Sequence, residues 1–232
     1  MPFIAEKALL GGIAQDACSA PSELFFRPGY VSNIVQSWLP ALDGVIPKLE
    51  TGAKVADVGC GVGHSTLLMA KAFPNSRFIG YDFHAPSIVQ ANVHAAANGL
   101  SQRVEFHVAP AKEITERDFD LITMFDCLHD MGDPKGCAQQ MRHLLRPDGS
   151  WMLVEPIAAD HAGDNIGNPV SRLFYNASTM ICVPTSLAQE VGAALGAQAG
   201  EQKLTAVLKD AGFTSVKRAT EGPFNIVLEA RP

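Results

Sequence analysis

Positive charge is scarce in this chain and nowhere concentrated. Its 232 residues carry 18 Lys and Arg against 24 Asp and Glu, a formal net charge of −6. Without a Lys/Arg cluster there is no electrostatic footprint for a polyphosphate backbone, which argues against nucleic acid as substrate or partner. Cysteine is sparse too. Cys18, Cys60, Cys127, Cys137 and Cys182 are odd in number and contain no C-x-x-C pair, the usage of reduced thiols in a cytoplasmic protein. That spacing offers no structural zinc site, and no metal is expected from it. No uncharged apolar run reaches the length of a membrane span. The apolar stretch 8–14 follows Glu6 and is interrupted by Gln15-Asp16, which argues against a signal peptide. Internal repeats and low-complexity tracts are also missing. What is present is 47% hydrophobic content, enough over this length for a sizeable core.

The densest signal is Val55-Ala56-Asp57-Val58-Gly59-Cys60-Gly61-Val62-Gly63. Lys54 to Val58 is rich in valine without polar alternation, the pattern of a central parallel strand buried on both faces, and Asp57 breaks the run where the strand must end. Gly59, Gly61 and Gly63 allow positive φ and let a ligand approach the main chain. A helical pattern runs from Ser65 to Phe73 and stops at Pro74. The dinucleotide fingerprint is G-x-G-x-x-G; here the third glycine comes one residue early, and His64 stands where that pattern wants glycine. A short strand, Phe78 to Tyr81, then ends in Asp82. A carboxylate placed there can accept both hydroxyls of a ribose, as the acidic residue about 20 positions after a Rossmann glycine turn does. Phe83 beside it can lie on an adenine. Glycine turns without a ligand do occur, but strand, turn, helix, strand and acid together point to a nucleoside.

Along the rest of the chain, helical segments at 3–15, 29–38 and 40–49 form an N-terminal cap (1–50) expected to pack over the carboxyl ends of the strands. Phe25, Phe26 and Tyr30 are then either lid residues or simple apolar glue. After Asp82, helix and strand alternate with short joints, the signature of a parallel sheet wound on both faces. Pro86 opens a helix through Ala97. Arg103 to Val108 alternates polar and apolar, as an edge strand does. Phe119 to Phe125 is a buried strand, Asp133-Pro134 starts a helix to Leu145, and Trp151 to Glu155 is a fifth strand. Residues 157–185 are rich in Asn, Ser and Pro and too long to be left structureless without purpose, so they are expected to form a lid. A helix over 201–211 and two strands, Thr214 to Ala219 and Phe224 to Glu229, complete the chain.

G-x-G-x-G with an aspartate two positions before the first glycine resembles motif I of the class I S-adenosylmethionine-dependent methyltransferases. Seven strands with a terminal hairpin resemble their sheet, in which the seventh strand inserts antiparallel. FDCLHDMGDP (125–134), LLRPDGSWMLVEP (144–156), FYNASTMICVPTSLAQEVGAALGAQAG (174–200) and FNIVLEARP are similar to a bacterial group of small-molecule methyltransferases whose longer members begin with a winged-helix segment. That segment, with any dimerisation or acceptor contact it provides, is expected to be missing here, which leaves a homodimer open. The resemblance implies an α/β fold: a doubly wound, seven-stranded Rossmann-like sheet over 51–232 with an N-terminal helical cap. It implies S-adenosylmethionine as cofactor, held by Asp57, Gly59, Cys60, Gly61, Gly63 and Asp82, with Phe83, Ala109 and Ala111 at the adenine and Phe125 and Asp126 at the methionine end. Pro110-Ala111 offers no polar side chain, so Lys112 or main-chain amides are left to contact the adenine.

Methyl transfer asks a protein mainly for near-attack geometry and the handling of one proton. His129, just past the fourth strand and followed by Asp130, is the candidate base or positioning group for a small, partly apolar acceptor methylated at oxygen or nitrogen. A helix-starting histidine bonded to a loop carbonyl is the plainer alternative. Glu155, Tyr175, Asn176 and Gln189 are candidates to line the acceptor pocket. Two other readings stand beside this one: a protein that senses the cofactor without turnover, and an NAD-dependent oxidoreductase, which the missing glycine at 64 disfavours.

Overall fold

The apolar run at 54–58 is a strand whose last four residues are buried. In the computed structural model, which describes residues 25–232, it lies near the centre of a seven-stranded sheet. The strands are β1 (Lys54–Val58), β2 (Arg77–Asp82), β3 (Val104–Val108), β4 (Phe119–Phe125), β5 (Leu145–Pro156), β6 (Ser215–Glu221) and β7 (Asn225–Arg231), in the spatial order β3-β2-β1-β4-β5-β7-β6. The first five pair in parallel, and β7 runs antiparallel to both β5 and β6. β3 stands at the edge, and its last two residues are exposed, as the alternating 103–108 run requires.

Helices cover both faces because β1 feeds both. Val55 packs with α3 (His64–Ala72), α4 (Ala85–Ala97) and the leading segment, whereas its neighbour Ala56 packs with α5 (Pro134–Leu144) and α8 (Glu201–Asp210). The leading segment consists of α1 (25–33), a π turn Ile34–Trp38, a 3₁₀ turn Leu39–Ala41 and α2 (Val45–Thr51). Ile34, Trp38, Leu39, Val45 and Leu49 are buried in the same core as β1 and β2, so this cap is an integral layer. The helix expected over 3–15 lies outside the described residues. The helix expected to begin at 29 begins earlier: the chain is already helical at 25 and remains so through Pro28 and Gly29.

The last three strands and the connection between β5 and β6 also differ from expectation. The fifth strand starts at Leu145 rather than Trp151, because Pro147–Gly149 form an irregularity within it between the pairs Phe119↔Leu145 and Leu121↔Ser150. β6 and β7 each begin one residue later than expected and extend two beyond it. The connection over 157–185 is helical: a 3₁₀ turn Ala162–Asn165, α6 (Pro169–Ala177), a π turn Ser178–Cys182 and α7 (Val183–Ala188). Its Asn and Pro content marks a helix start. Asn168 accepts from the Val170 N–H at 2.9 Å, and Pro169 follows it in the first turn.

Strand order reverses between β1 and β4, and ligands of open α/β sheets bind outside the carboxyl ends of the strands at such a switch point.

Candidate active site

At the carboxyl end of β1, the turn Gly59 to Gly63 is held by main-chain bonds to β2. The Gly59 and Cys60 N–H groups donate to the Tyr81 carbonyl at 2.8 and 3.1 Å, and the Gly61 N–H donates to Asp82 Oδ2 at 2.9 Å. Asp82 Oδ1 accepts from the His84 N–H at 2.9 Å, and the Ala109 N–H donates to the Asp82 carbonyl at 2.9 Å. The glycine turn, the acidic strand end and the start of the Ala109–Ala111 segment therefore meet at one place. Two glycines are needed for different reasons. At Gly59 (φ +76°) a Cβ would lie 2.7 Å from Cys127 Sγ, so glycine lets the β4 side approach the turn. At Gly61 (φ +53°) a Cβ would meet nothing within 4 Å: open space lies over its main chain. Phe83, next to Asp82, is 55% exposed. Lys112 pairs with Asp133 at 2.9 Å, so its ammonium is engaged there.

Asp57 and Cys60 serve the turn from behind. The buried Asp57 carboxylate accepts from Ser65 and Thr66 hydroxyls at 2.6 Å each and from Thr123 at 2.9 Å, which ties β1 to the first turn of α3 and to β4. Burial raises its pKa against the pull of those three hydroxyls. Cys60 is itself buried, 6% exposed.

At the end of β4, Phe125 is buried against Tyr30 and Trp38, with ring centroids 5.2 and 6.2 Å away. Asp126 follows with φ +50°, a strained position for a residue with a Cβ. Its Oδ2 accepts from the Tyr30 hydroxyl at 2.7 Å and its Oδ1 from Asn225 Nδ2 at 2.7 Å. The cap thus reaches the strand end through Tyr30, with Phe26 stacked on the Tyr30 ring and Phe25 edge-on to Phe224.

Burial, reinforced by Glu155, raises the Asp126 carboxyl from 3.8 to about 7, against the lowering effects of Tyr30, His129 and Asn225. The unfolded chain gives up this proton near 3.8 and the folded chain keeps it to about 7, so stability falls as pH rises between those values and levels off above. The effect amounts to about 2–4 kcal/mol after allowance for solvent at the residue's partly exposed edge. Urea midpoints at about pH 5 and about pH 8 should differ by less in Asp126→Asn than in the parent. Equal differences would mean that the carboxyl titrates normally.

Beyond Asp126, the 3₁₀ turn Leu128–Asp130 carries the His-Asp pair. His129 is only 4% exposed. Its Nδ1 is bonded to Glu155 Oε2, while Glu155 Oε1 accepts the Leu128 N–H at 2.9 Å. Its Nε2 faces Asp130 Oδ1 at 3.2 Å. Burial disfavours charge on the ring, but Asp130 and Glu155 outweigh it and hold the pKa well above 6.5. A ligand that takes Nε2 must displace that proton. The Glu155 carboxylate, expected to line the acceptor pocket, is thus engaged by the His129 segment.

Of the other expected pocket residues, Gln189 donates to the Asp130 carbonyl at 3.0 Å and accepts from Gly132 N–H at 2.9 Å, which fastens the helical connection to this turn. Asn176 is occupied within α6 by the Arg172 carbonyl, and the Tyr175 carbonyl accepts from Thr179. Sequence reasoning missed Cys182, whose thiol joins His129 and Asp130. A cysteine 52 positions downstream with no spacing motif gave no signal.

Residues 49–212 match a family described as "Methyltransferase domain". The ubiquinone biosynthesis O-methyltransferase of Bordetella avium is 29% identical over 153 residues, 64% of this chain and 56% of that protein. The methyltransferase ungE' of Aspergillus campestris is 29% identical over 134 residues, 56% of this chain and 36% of that protein. The chain thus spans about half or less of the length of these relatives. An O-methyltransferase family protein from Burkholderia thailandensis shares the fold with a TM-score of 0.68 at 18% identity, over 94% of this chain and 59% of that one.

Proposed function

The chain belongs to the class I S-adenosylmethionine-dependent methyltransferases, and from that premise we propose that it methylates a small, partly apolar acceptor at oxygen or nitrogen. The observation that carries this reading is the open ground over Gly61, whose N–H is bonded to Asp82 at the switch point of the sheet. The residues present fit the cofactor: main chain without a Cβ, an acidic strand end beside it, and an exposed aromatic ring one residue on.

S-adenosylmethionine, when bound, supplies a methyl group on a cationic sulfur. The chain's own part is to bind, orient and shield. Asp82 takes the ribose hydroxyls, and Phe83, Ala109 and Ala111 flank the adenine. Gly59, Gly61 and Gly63 let the ligand rest on the main chain, while Asp57 and Cys60 fix the turn's shape. Phe125 and Asp126 border the methionine end. Asp82, the acidic strand end beside the open ground over Gly61, suits a cationic ligand better than a phosphate. The aromatic rim of Phe25, Phe26, Tyr30 and Phe224 gives an acceptor an apolar surface, which supports a partly apolar substrate. His129 Nε2 is the ring atom not bonded to Glu155, and so the one that meets the acceptor: as a positioning group while it keeps the proton that faces Asp130, and as a base only once that proton is displaced.

The test is transfer of labelled methyl from S-adenosylmethionine to a panel of phenols, alcohols, hydroxy acids and amines, with protein and nucleic acid as parallel acceptors. Label is expected in small molecules. Label confined to macromolecules, or cofactor binding without turnover across the panel, would count against the proposal.

A further inference from the structure

His129, Asp130 and Cys182 each bring one ligand atom within 4.8 Å of the others, and Nε2 approaches Asp130 Oδ1 to 3.2 Å. They come from two places in the chain, the 3₁₀ turn after β4 and the last residue of the π turn Ser178–Cys182, a helix irregularity that often accompanies functional sites. The geometry points to a divalent-cation site here, with zinc as the metal.

Three observations converge. Glu155 holds Nδ1 and leaves Nε2 facing Asp130; a carboxylate orienting a histidine through its second nitrogen is the usual support of a metal-bound imidazole. Asp130 Oδ1 is shut off from solvent and faces Nε2 at 3.2 Å, so carboxylate and imidazole already meet at one closed point. Cys182 is 6% exposed and brings a sulfur to the same point.

The donor set decides the metal. One nitrogen, one oxygen and one sulfur suit zinc, whereas calcium and magnesium take oxygen alone. Around a tetrahedral zinc the donor atoms stand about 3.3–3.8 Å apart, so the Nε2 to Oδ1 separation already fits and bringing in the third donor takes a movement of about 1 Å. Three protein donors leave a fourth position open, the pattern of catalytic rather than structural zinc. On the methyltransferase reading, Nε2 would then position the acceptor through the metal instead of acting as the base itself: the acceptor's oxygen would occupy the open position and lose its proton more readily there.

The full chain, incubated with zinc and dialysed, should retain one zinc per chain by elemental mass spectrometry. Replacement by cobalt(II) should give a near-ultraviolet thiolate-to-cobalt band. Cys182→Ser should remove that band, and Asp130→Asn should weaken zinc binding by about tenfold or more, while Cys137→Ala, which alters a buried thiol outside the cluster, should keep both. Zinc lost entirely on dialysis, a cobalt band that survives Cys182→Ser, or unchanged affinity in Asp130→Asn would each overturn the site. Titration of the same preparations with S-adenosylmethionine reads the glycine turn independently. Cofactor binding without zinc therefore refutes this inference alone, and zinc without cofactor binding refutes the other reading alone.

Discussion

Gly61→Val should abolish S-adenosylmethionine binding while the chain still folds. A valine side chain at 61 would enter the open space over the turn, because its Cβ meets no protein atom there, and that space is where the cofactor must rest on the main chain. The substitution also places a β-branched residue at φ +53°, a strain of about 1–3 kcal/mol, so the thermal midpoint should fall by several degrees. Gly99→Val separates the two effects. Gly99 lies just past α4 with φ +67° and equally open surroundings, so it carries the strain without the obstruction and should bind cofactor normally. Normal binding by Gly61→Val would make the turn purely structural.

The second large effect is expected at His129. His129→Ala should lower kcat by about 10²- to 10⁴-fold and leave cofactor affinity nearly intact, since the ring's partners are Glu155 and Asp130 and not the Gly61–Asp82 contact. The substitution leaves Glu155 buried without its partner and costs stability as well, so circular dichroism must accompany the kinetics. His129→Gln keeps a hydrogen bond to Glu155 but has no imidazole nitrogen to offer. If Nε2 is the working atom, glutamine loses activity almost as alanine does; largely retained activity would reduce His129 to a positioning role. Turnover at the parent rate in His129→Ala would place it among the structural histidines.

What could be read from the sequence was whatever a local pattern encodes. The valine run of β1, the glycine turn, the alternation that marks β3 as an edge and the closing hairpin are all statements about neighbours a few positions apart, and the structure has each of them. The helical connection over 162–188 escaped because its Asn, Ser and Pro content hid the caps, and its buried Phe174 and Cys182 give too sparse an apolar stripe to announce a helix. The site was legible only where it is local. Asp57 looked like a ligand contact, but Thr123, 66 positions away, helps to engage its carboxylate. Tyr30 was chosen as a lid aromatic for its ring, whereas its hydroxyl reaches Asp126 across 96 positions. The union of His129, Asp130, Glu155 and Cys182 depends on strand order and on one π turn, and no spacing rule expresses either.

The account stands or falls on whether the glycine turn and Asp82 hold S-adenosylmethionine. Calorimetric titration of the parent chain and of Asp82→Ala, with S-adenosylmethionine and with NADH, tests this most directly. The parent should bind S-adenosylmethionine at one site and give no heat with NADH. Asp82→Ala should bind at least about tenfold more weakly, because each hydrogen bond to a charged group contributes about 1.5–3 kcal/mol. Unchanged affinity in Asp82→Ala, or binding of NADH in place of S-adenosylmethionine, would contradict it.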